Sequence, residues 1–302
     1  CSRTENPDFF HNVIGGFGFF GIITEVNLKT TDNSILTHTI ERLSTSQVPA
    51  SIEKAIQSGA ELIEAHLSVA DAHFLDDAIL YSHYPVPKAE HKSISPNLNG
   101  ENAIWLRKLI FSLSKSTDLG KKLRWEAEKR LSPIFDPKLT SRNNAMAVPF
   151  RFLDNPAEGE SEILQEYFVP KRDFNLFLDK YKGLLKQYDI KLLNVTVRYT
   201  KKDDEATVTY ATEDMYAFVA YYHLKDGTDT NRMTAFTSVV IDELVKLHGT
   251  YYLTYGFYFS PKQLEKMYPS IPALIQAKTK YDQNEIFYSD FYEKITSAVQ
   301  KI

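Results

Sequence analysis

EILQEYFVPKRDFNLFLDKYKGLLKQYDIKLLNVTVRYT, residues Glu162–Thr200, decides the fold. EILQEYFVP alternates in the manner of a strand. In the next segment Phe174, Phe177, Leu178, Tyr181, Leu184 and Leu185 recur at helical spacing. KLLNVTVRYT, rich in β-branched residues, returns to the strand pattern. A strand–helix–strand unit of this kind has one apolar helix stripe to bury against a sheet.

Toward the C-terminus the pattern continues. ATVTY precedes a very apolar strand, MYAFVAYYHL. A helix over residues 228–248 follows, with Gly249 at the position of its stop. TYYLTYGFYF is aromatic and strand-like, PKQLEKMY and SIPALIQAKTKY are short helices, and DQNEIFYSDFYEKITSAVQKI closes the chain. Toward the N-terminus, strands are expected over Gly21–Thr30 and Ser34–Leu43, with Thr31-Asp32-Asn33 as the turn. A helix is expected over Ser44–Ser58. GAELIEAHLSV and DDAILYSHYPV form a strand pair around a turn at Asp71–Leu75. Pro85–Asn99 reads as a loop, and Glu101–Ser132 as a helical stretch broken near Asp118–Gly120. Pro133–Glu160 reads as a long irregular segment. This order predicts an α+β architecture, an antiparallel sheet flanked by helices. No internal repeat is evident.

The 302 residues are 43% hydrophobic and carry a formal charge of −4, which is ordinary globular composition without a nucleic-acid footprint. The basic run Lys121–Arg130 alternates with Glu126 and Glu128 and reads as a solvated helix face. Cys1 is the single cysteine, which excludes an internal disulfide, a CxxC redox pair and a thiolate zinc site. A reducing, cytoplasmic setting is the expectation. No apolar run is long enough to span a bilayer, and the opening CSRTENPDFF has no signal-peptide pattern. That polar start without a Met suggests a fragment or a processed product. No HExxH or close histidine pair points to a metal.

Two places invite a ligand. Gly15, Gly16, Gly18 and Gly21 crowd seven positions, where backbone can approach a phosphate or ring edge; a plain tight turn before a strand explains them equally well. A dinucleotide fingerprint needs strand, glycines, then helix, and the order here is turn then strand. In the second, alternation puts Gln165 and Tyr167 on one strand face and Glu166 on the other; Gln165 with Tyr167 is the pair expected to line a pocket.

SRTENPDFFHNVIGGFGFFGIITEVNLK resembles the distal part of the flavin-binding domain of FAD-linked oxidases of the vanillyl-alcohol oxidase type, relatives of cytokinin dehydrogenases and alditol oxidases. Asn6, Pro7, Asp8, Phe10, Gly15, Gly16, Gly18 and Phe20–Thr24 carry the match. TYYLTYGFY and AKTKYDQNEIFYSDFYEKI resemble the family's C-terminal segments, with Thr254 and Gln283 standing where prolines are usual. The segments around residues 164–178 and 192–223 resemble a substrate, or cap, domain of one branch.

The resemblance implies oxidation of a small alcohol, sugar or amine by hydride transfer to FAD. It divides the chain into a flavin-domain remnant (1–35), a cap domain (36–265) and returning helices (266–302). Gly16, Gly18, Gly21, Ile22, Ile23, Tyr252 and Ser289 would touch FAD. Arg198 and Tyr255 would be catalytic, with Asn194 and Thr196 joining Gln165 and Tyr167 at the substrate. An ion pair of Arg198 with Asp203, Asp204 or Glu205, and plain aromatic packing of Tyr255, are the competing readings of those two. The family's pyrophosphate-gripping loop is missing from the sequence. The FAD site would therefore be incomplete without a separate N-terminal flavin-domain chain, and a non-catalytic binding module is the alternative.

Overall fold

The computed structural model describes residues 1–87, 95, 97–100, 104–135, 137–147, 159–225 and 227–301. Parts of the expected 85–99 loop and 133–160 segment lie outside these residues. One antiparallel sheet of eight strands runs through the molecule in the order β4-β1-β3-β2-β6-β7-β5-β8. The strands are β1 (Ile35–Ser44), β2 (Leu62–Leu67), β3 (Asp77–Pro85), β4 (Leu139–Ser141), β5 (Ser161–Pro170), β6 (Lys191–Thr200), β7 (Met215–Leu224) and β8 (Thr250–Tyr251). The helices are α1 (Pro7–Val13), α2 (Val48–Gln57), α3 (Ile104–Ser116), α4 (Asp118–Phe135), α5 (Arg142–Met146), α6 (Phe174–Gln187), α7 (Gly227–Lys246), α8 (Pro261–Met267), α9 (Ile271–Tyr281) and α10 (Asp290–Val299). The α+β class and the antiparallel sheet flanked by helices are as expected.

The sheet contains a duplication that the sequence hides. Strand, 3-10 turn, helix, strand, strand occurs as β1-α2-β2-β3 and again as β5-α6-β6-β7. Each set gains one further strand after more helix, giving two β-α-β-β-α-β units of the split βαβ kind. In each unit the order is fourth, first, third, second, and the two second strands meet at a seam. There Glu64, Ala65, His66 and Leu67 of β2 face Arg198, Val197, Thr196 and Val195 of β6.

One face of the sheet is covered by α2, α6 and α7. Val48, Ile52, Phe174, Phe177, Tyr181, Phe236, Val240 and Leu244 all pack at no more than 1% exposure against Ala65, Val195, Val197, Phe218 and Tyr222. This core runs on into Phe19, Phe20, Tyr292 and Ile295, so the glycine turn and α10 belong to it. The hairpin of α3 and α4 crosses to the other face, where Trp125 packs on Ile79 beside Ile40 and Tyr81.

Four expectations fail. Pro133–Glu160 is not irregular throughout, because α4 runs on to Phe135 and β4 and α5 occupy Leu139–Met146. Gly21–Thr30 is not a strand: no described strand pairs with it, and an alternating pattern without a ladder partner has nothing to satisfy its backbone. The aromatic run after Gly249 pairs with β5 only through Thr250 and Tyr251. It then turns through a 3-10 segment, Leu253–Tyr255, and Gly256 at φ 137°. The left-handed residue ending α7 is His248 (φ 58°) rather than Gly249. Gly249 is required for closeness, because a Cβ there would lie 2.5 Å from the Phe168 carbonyl oxygen. Helix α1, unforeseen in NPDFFHNV, starts with Pro7 in its first turn, where a missing N–H costs nothing, and has Asp8 near the positive end of its dipole.

Candidate functional site

Strand register puts a defined set of side chains on the second face. Across the sheet Glu64, Arg198, Ala217, Phe168 and Thr250 are successive partners. The neighbouring row is His66, Thr196, Val219 and Glu166, and the Tyr252 N–H donates to the Glu166 carbonyl at 3.0 Å. One end of this face is roofed by the helical hairpin. The Arg124 guanidinium donates to the Leu193 carbonyl at 3.0 Å and to Asn194 Oδ1 at 3.2 Å. Phe111 stacks on Tyr221, and Lys115 pairs with Glu162. Away from that roof, among the described residues, Arg198 is exposed and Glu166 and Tyr252 are half-buried.

At the roofed margin His66 lies between two carboxylates, with Nδ1 at 2.5 Å from Glu128 and Nε2 at 3.7 Å from Glu64. Tyr81 Oη also donates to Glu128, at 3.3 Å. Burial works against charge on His66, but Glu128 and Glu64 outweigh it and raise its pKa to about 10. Burial likewise opposes ionisation of Glu64, yet His66, Arg198 and His83 hold it below the usual carboxylate range.

Away from the roof the wall is aromatic. Phe168 and Tyr210 stack at 4.3 Å, Tyr252 stands edge-on to Tyr210 at 5.5 Å, and Tyr255 lies 5.4 Å from Tyr252. Glu166 is pushed upward by burial, an effect that Arg198 only partly offsets. Burial, then Glu166 and Tyr252, raise the Tyr255 phenol, and Arg198 eases it down. Arg198 itself is exposed and has no side-chain hydrogen bond or ion pair within the described residues. Asp203, Asp204 and Glu205 do not take it: Glu205 pairs with Arg3, and Asp204 with Lys202.

Arg198, Tyr252, Tyr255 and Thr196 are thus brought to one face. Asn194 shares it but is held by Arg124 and donates to Thr196 Oγ1 at 3.2 Å. Gln165 and Tyr167 are elsewhere, fully buried on the helix-covered face. There Gln165 Nε2 donates to Thr237 Oγ1 at 3.1 Å, Tyr167 donates to Gln165, and Tyr167 meets Tyr222 at 3.0 Å. Their neighbour Glu166 faces the open side. Glu64, His66 and Glu128 carry no sequence signal, because they converge from different elements.

The glycine turn forms a separate wall. Gly18 (φ 76°) has open space beside it, Gly21 (φ 151°) lies against the Phe287 ring, and Gly16 packs on the Asn12 carbonyl of α1. Ile22 and Ile23 are exposed. Ser289 accepts from the Tyr292 N–H as the cap of α10. Buried Lys278 fixes the neighbouring loop. It pairs with Asp282 and donates to the Phe287 carbonyl at 2.8 Å. Asp282, held to about 2 by Lys278 and the Phe287 N–H, also accepts from the Ile286 N–H. Among the described residues no three His, Cys, Asp or Glu gather as a metal site, and no helix is long and apolar enough to cross a membrane.

No known family profile matches the chain, and no curated protein sequence does. Among solved structures it is similar to a cholesterol oxidase from B. sterolicum, with a TM-score of 0.54 and 10% identity. The match covers 87% of this chain and 60% of that one, so the chain spans less than two thirds of that structure.

Proposed function

We propose that this chain is the substrate-binding and C-terminal portion of an FAD-dependent oxidoreductase, and that substrate lies on the open sheet face beside Arg198. The unpartnered Arg198 guanidinium, set between Glu166 and an aromatic wall, is the observation that carries this reading. The likeness to an oxidase and the resemblance of the glycine and C-terminal segments support it. The residues present fit the cofactor on one side: among the described residues, 22–33 have no ladder partner for their backbone groups, and Gly18 has open space beside it for close approach. Ile22, Ile23, Val26 and Leu28 are exposed along the same segment, as are Ile286 and Tyr288. We assign that edge to a further flavin-binding segment or chain.

When bound, FAD supplies the hydride acceptor for a substrate alcohol or amine carbon. The chain's own groups do the rest. Arg198 holds a substrate oxygen by its forked donors. Glu166, raised by burial, accepts the hydroxyl proton, directly or through the Tyr255 phenol. The tyrosines exclude water and offer ring faces to a substrate ring. The test is reconstitution with FAD and the flavin-binding portion, followed by turnover of alcohols and sugars. Arg198→Met and Glu166→Gln each lower kcat/KM by about 10²-fold or more with flavin absorbance retained. Unchanged turnover in both would overturn the site. Failure of the reconstituted protein to retain flavin through gel filtration would overturn the flavoenzyme reading itself.

A further inference from the structure

The α3–α4 hairpin presents an unusual outer surface. Its inner side is spent on the sheet through Phe111, stacked on Tyr221, and Trp125, packed on Ile79, both buried. Its outer side carries Trp105, Leu109 and Leu113, three positions at i, i+4 and i+8 that form one stripe of α3. Leu119 and Leu123 continue it on α4. The two stripes meet because Gly120 packs directly on the Leu113 carbonyl, an approach any Cβ would block. Exposure along them is 70% at Trp105, about half at Leu109 and Leu113, 65% at Leu119 and 58% at Leu123. A contiguous apolar stripe of this kind on a folded surface marks a contact site.

Charge identifies the partner. Residues 104–130 contain eight Lys and Arg against three Asp and Glu, in a chain whose formal charge is −4; Lys115 and Arg124 turn to the sheet, Lys129 and Arg130 pair with Glu126, and Lys121 and Lys122 lie beside the stripe. Lys122 is exposed beside Leu119 and Leu123, and Lys121 sits next to it. Apolar residues including a Trp, flanked by lysines on helices too short and polar to span, are what lies in the plane of an anionic bilayer surface. A protein partner or a second copy would need complementary acidic groups opposite these lysines. A lipid surface needs only headgroup phosphates.

We propose that the α3–α4 hairpin is a monotopic membrane-contact surface, seating Trp105, Leu109, Leu113, Leu119 and Leu123 in the interface of anionic lipid. The assignment is independent of the open-face site and of any cofactor. The test is flotation of the full chain with vesicles of phosphatidylcholine containing about 30% phosphatidylserine, and with phosphatidylcholine alone. The chain floats with the anionic vesicles and less with the neutral ones, and added salt weakens the binding. Leu109→Glu with Leu113→Glu lowers the bound fraction by about tenfold. Lys121→Glu with Lys122→Glu abolishes the preference for anionic lipid. Leu109, Leu113 and Lys122 are exposed, and Lys121 is half-buried with only a surface pair to Asp118 at 3.6 Å, so the melting temperature stays near that of the parent, which separates loss of binding from loss of fold. No binding to either vesicle, or equal binding by the leucine variant, overturns the proposal. A concentration-dependent dimer in sedimentation equilibrium that the leucine variant abolishes, without lipid binding, overturns it in favour of self-association.

Discussion

The two faces of the sheet use the same strands for opposite ends. On the covered face, Gln165, Tyr167, Tyr181, Tyr222 and Thr237 are spent on one another in one hydrogen-bonded set with α6 and α7, and the Tyr251 hydroxyl beside them is the exception without a partner among the described residues. On the other face of β5 and β6, Glu166 and Arg198 have no hydrogen-bonded partner among the described residues to settle their charge. A buried polar group left unsatisfied costs more than a satisfied one gains, so a covered face drives its polar groups to pair. Where no layer covers a sheet, that pressure is absent, and polar groups can be kept for a ligand.

The contrast can be broken by substitution. Phe177→Ala on the covered face removes a ring packed against Tyr181 and Phe218, and should cost about 3–5 kcal/mol in urea unfolding. Gln165→Leu strips the acceptor from Tyr167 and the partner from Thr237, and should cost about 1–3 kcal/mol. If it costs nothing, the hydrogen-bonded set is not what it looks like.

His66→Gln, at the roofed margin of the open face, should cost about 1 kcal/mol near pH 6, and its cost should depend on pH. His66 has a folded pKa raised from 6.5 to about 10, so its stabilisation is complete below about pH 6.5 and fades as pH climbs toward 10. Glu64 and Glu128, held below 4.5, contribute only above about pH 4.5. The gap between parent and variant should therefore be widest between these limits and close on the alkaline side. A gap that widens with rising pH would remove the ion-paired imidazolium from the account.

Arg198→Ala should change stability by no more than about 0.5 kcal/mol, the usual effect at an exposed site without partners. A larger loss would mean that Arg198 is structural after all.

Much of the fold was legible because helix and strand periods are written into the apolar spacing. β5, α6 and β6 fall where Glu162–Thr200 puts them. Gly21–Thr30 shows the limit. Its alternation is genuine, but a strand is a relation between two segments, and the second is not among those described here. The two-unit duplication was invisible because the split βαβ pattern tolerates unlike side chains. The candidate site was half legible. Alternation separated Glu166 from Gln165 and Tyr167, but choosing the open side requires knowing where the helices pack. Glu64, His66 and Glu128 come from β2 and α4, and no local pattern announces a meeting between distant elements.

The seam between the two units has a kinetic meaning. Every other strand pair joins segments of the same unit, whereas β2 and β6 close the longest loop in the sheet for four register pairs. Loop closure of that length is slow relative to hairpin formation. We therefore expect each half to zip first and the seam last, so that Arg198 reaches Glu64 only when the rest of the sheet exists. Pulse-labelled hydrogen exchange during refolding should show the Ala65 and Val197 amides protected after those of β7. Protection of all of them together would mean that the sheet forms in one step. Under sequential closure, half-folded chains would not bring Glu64 and Arg198 together on the open face, and that pairing would mark the completed fold.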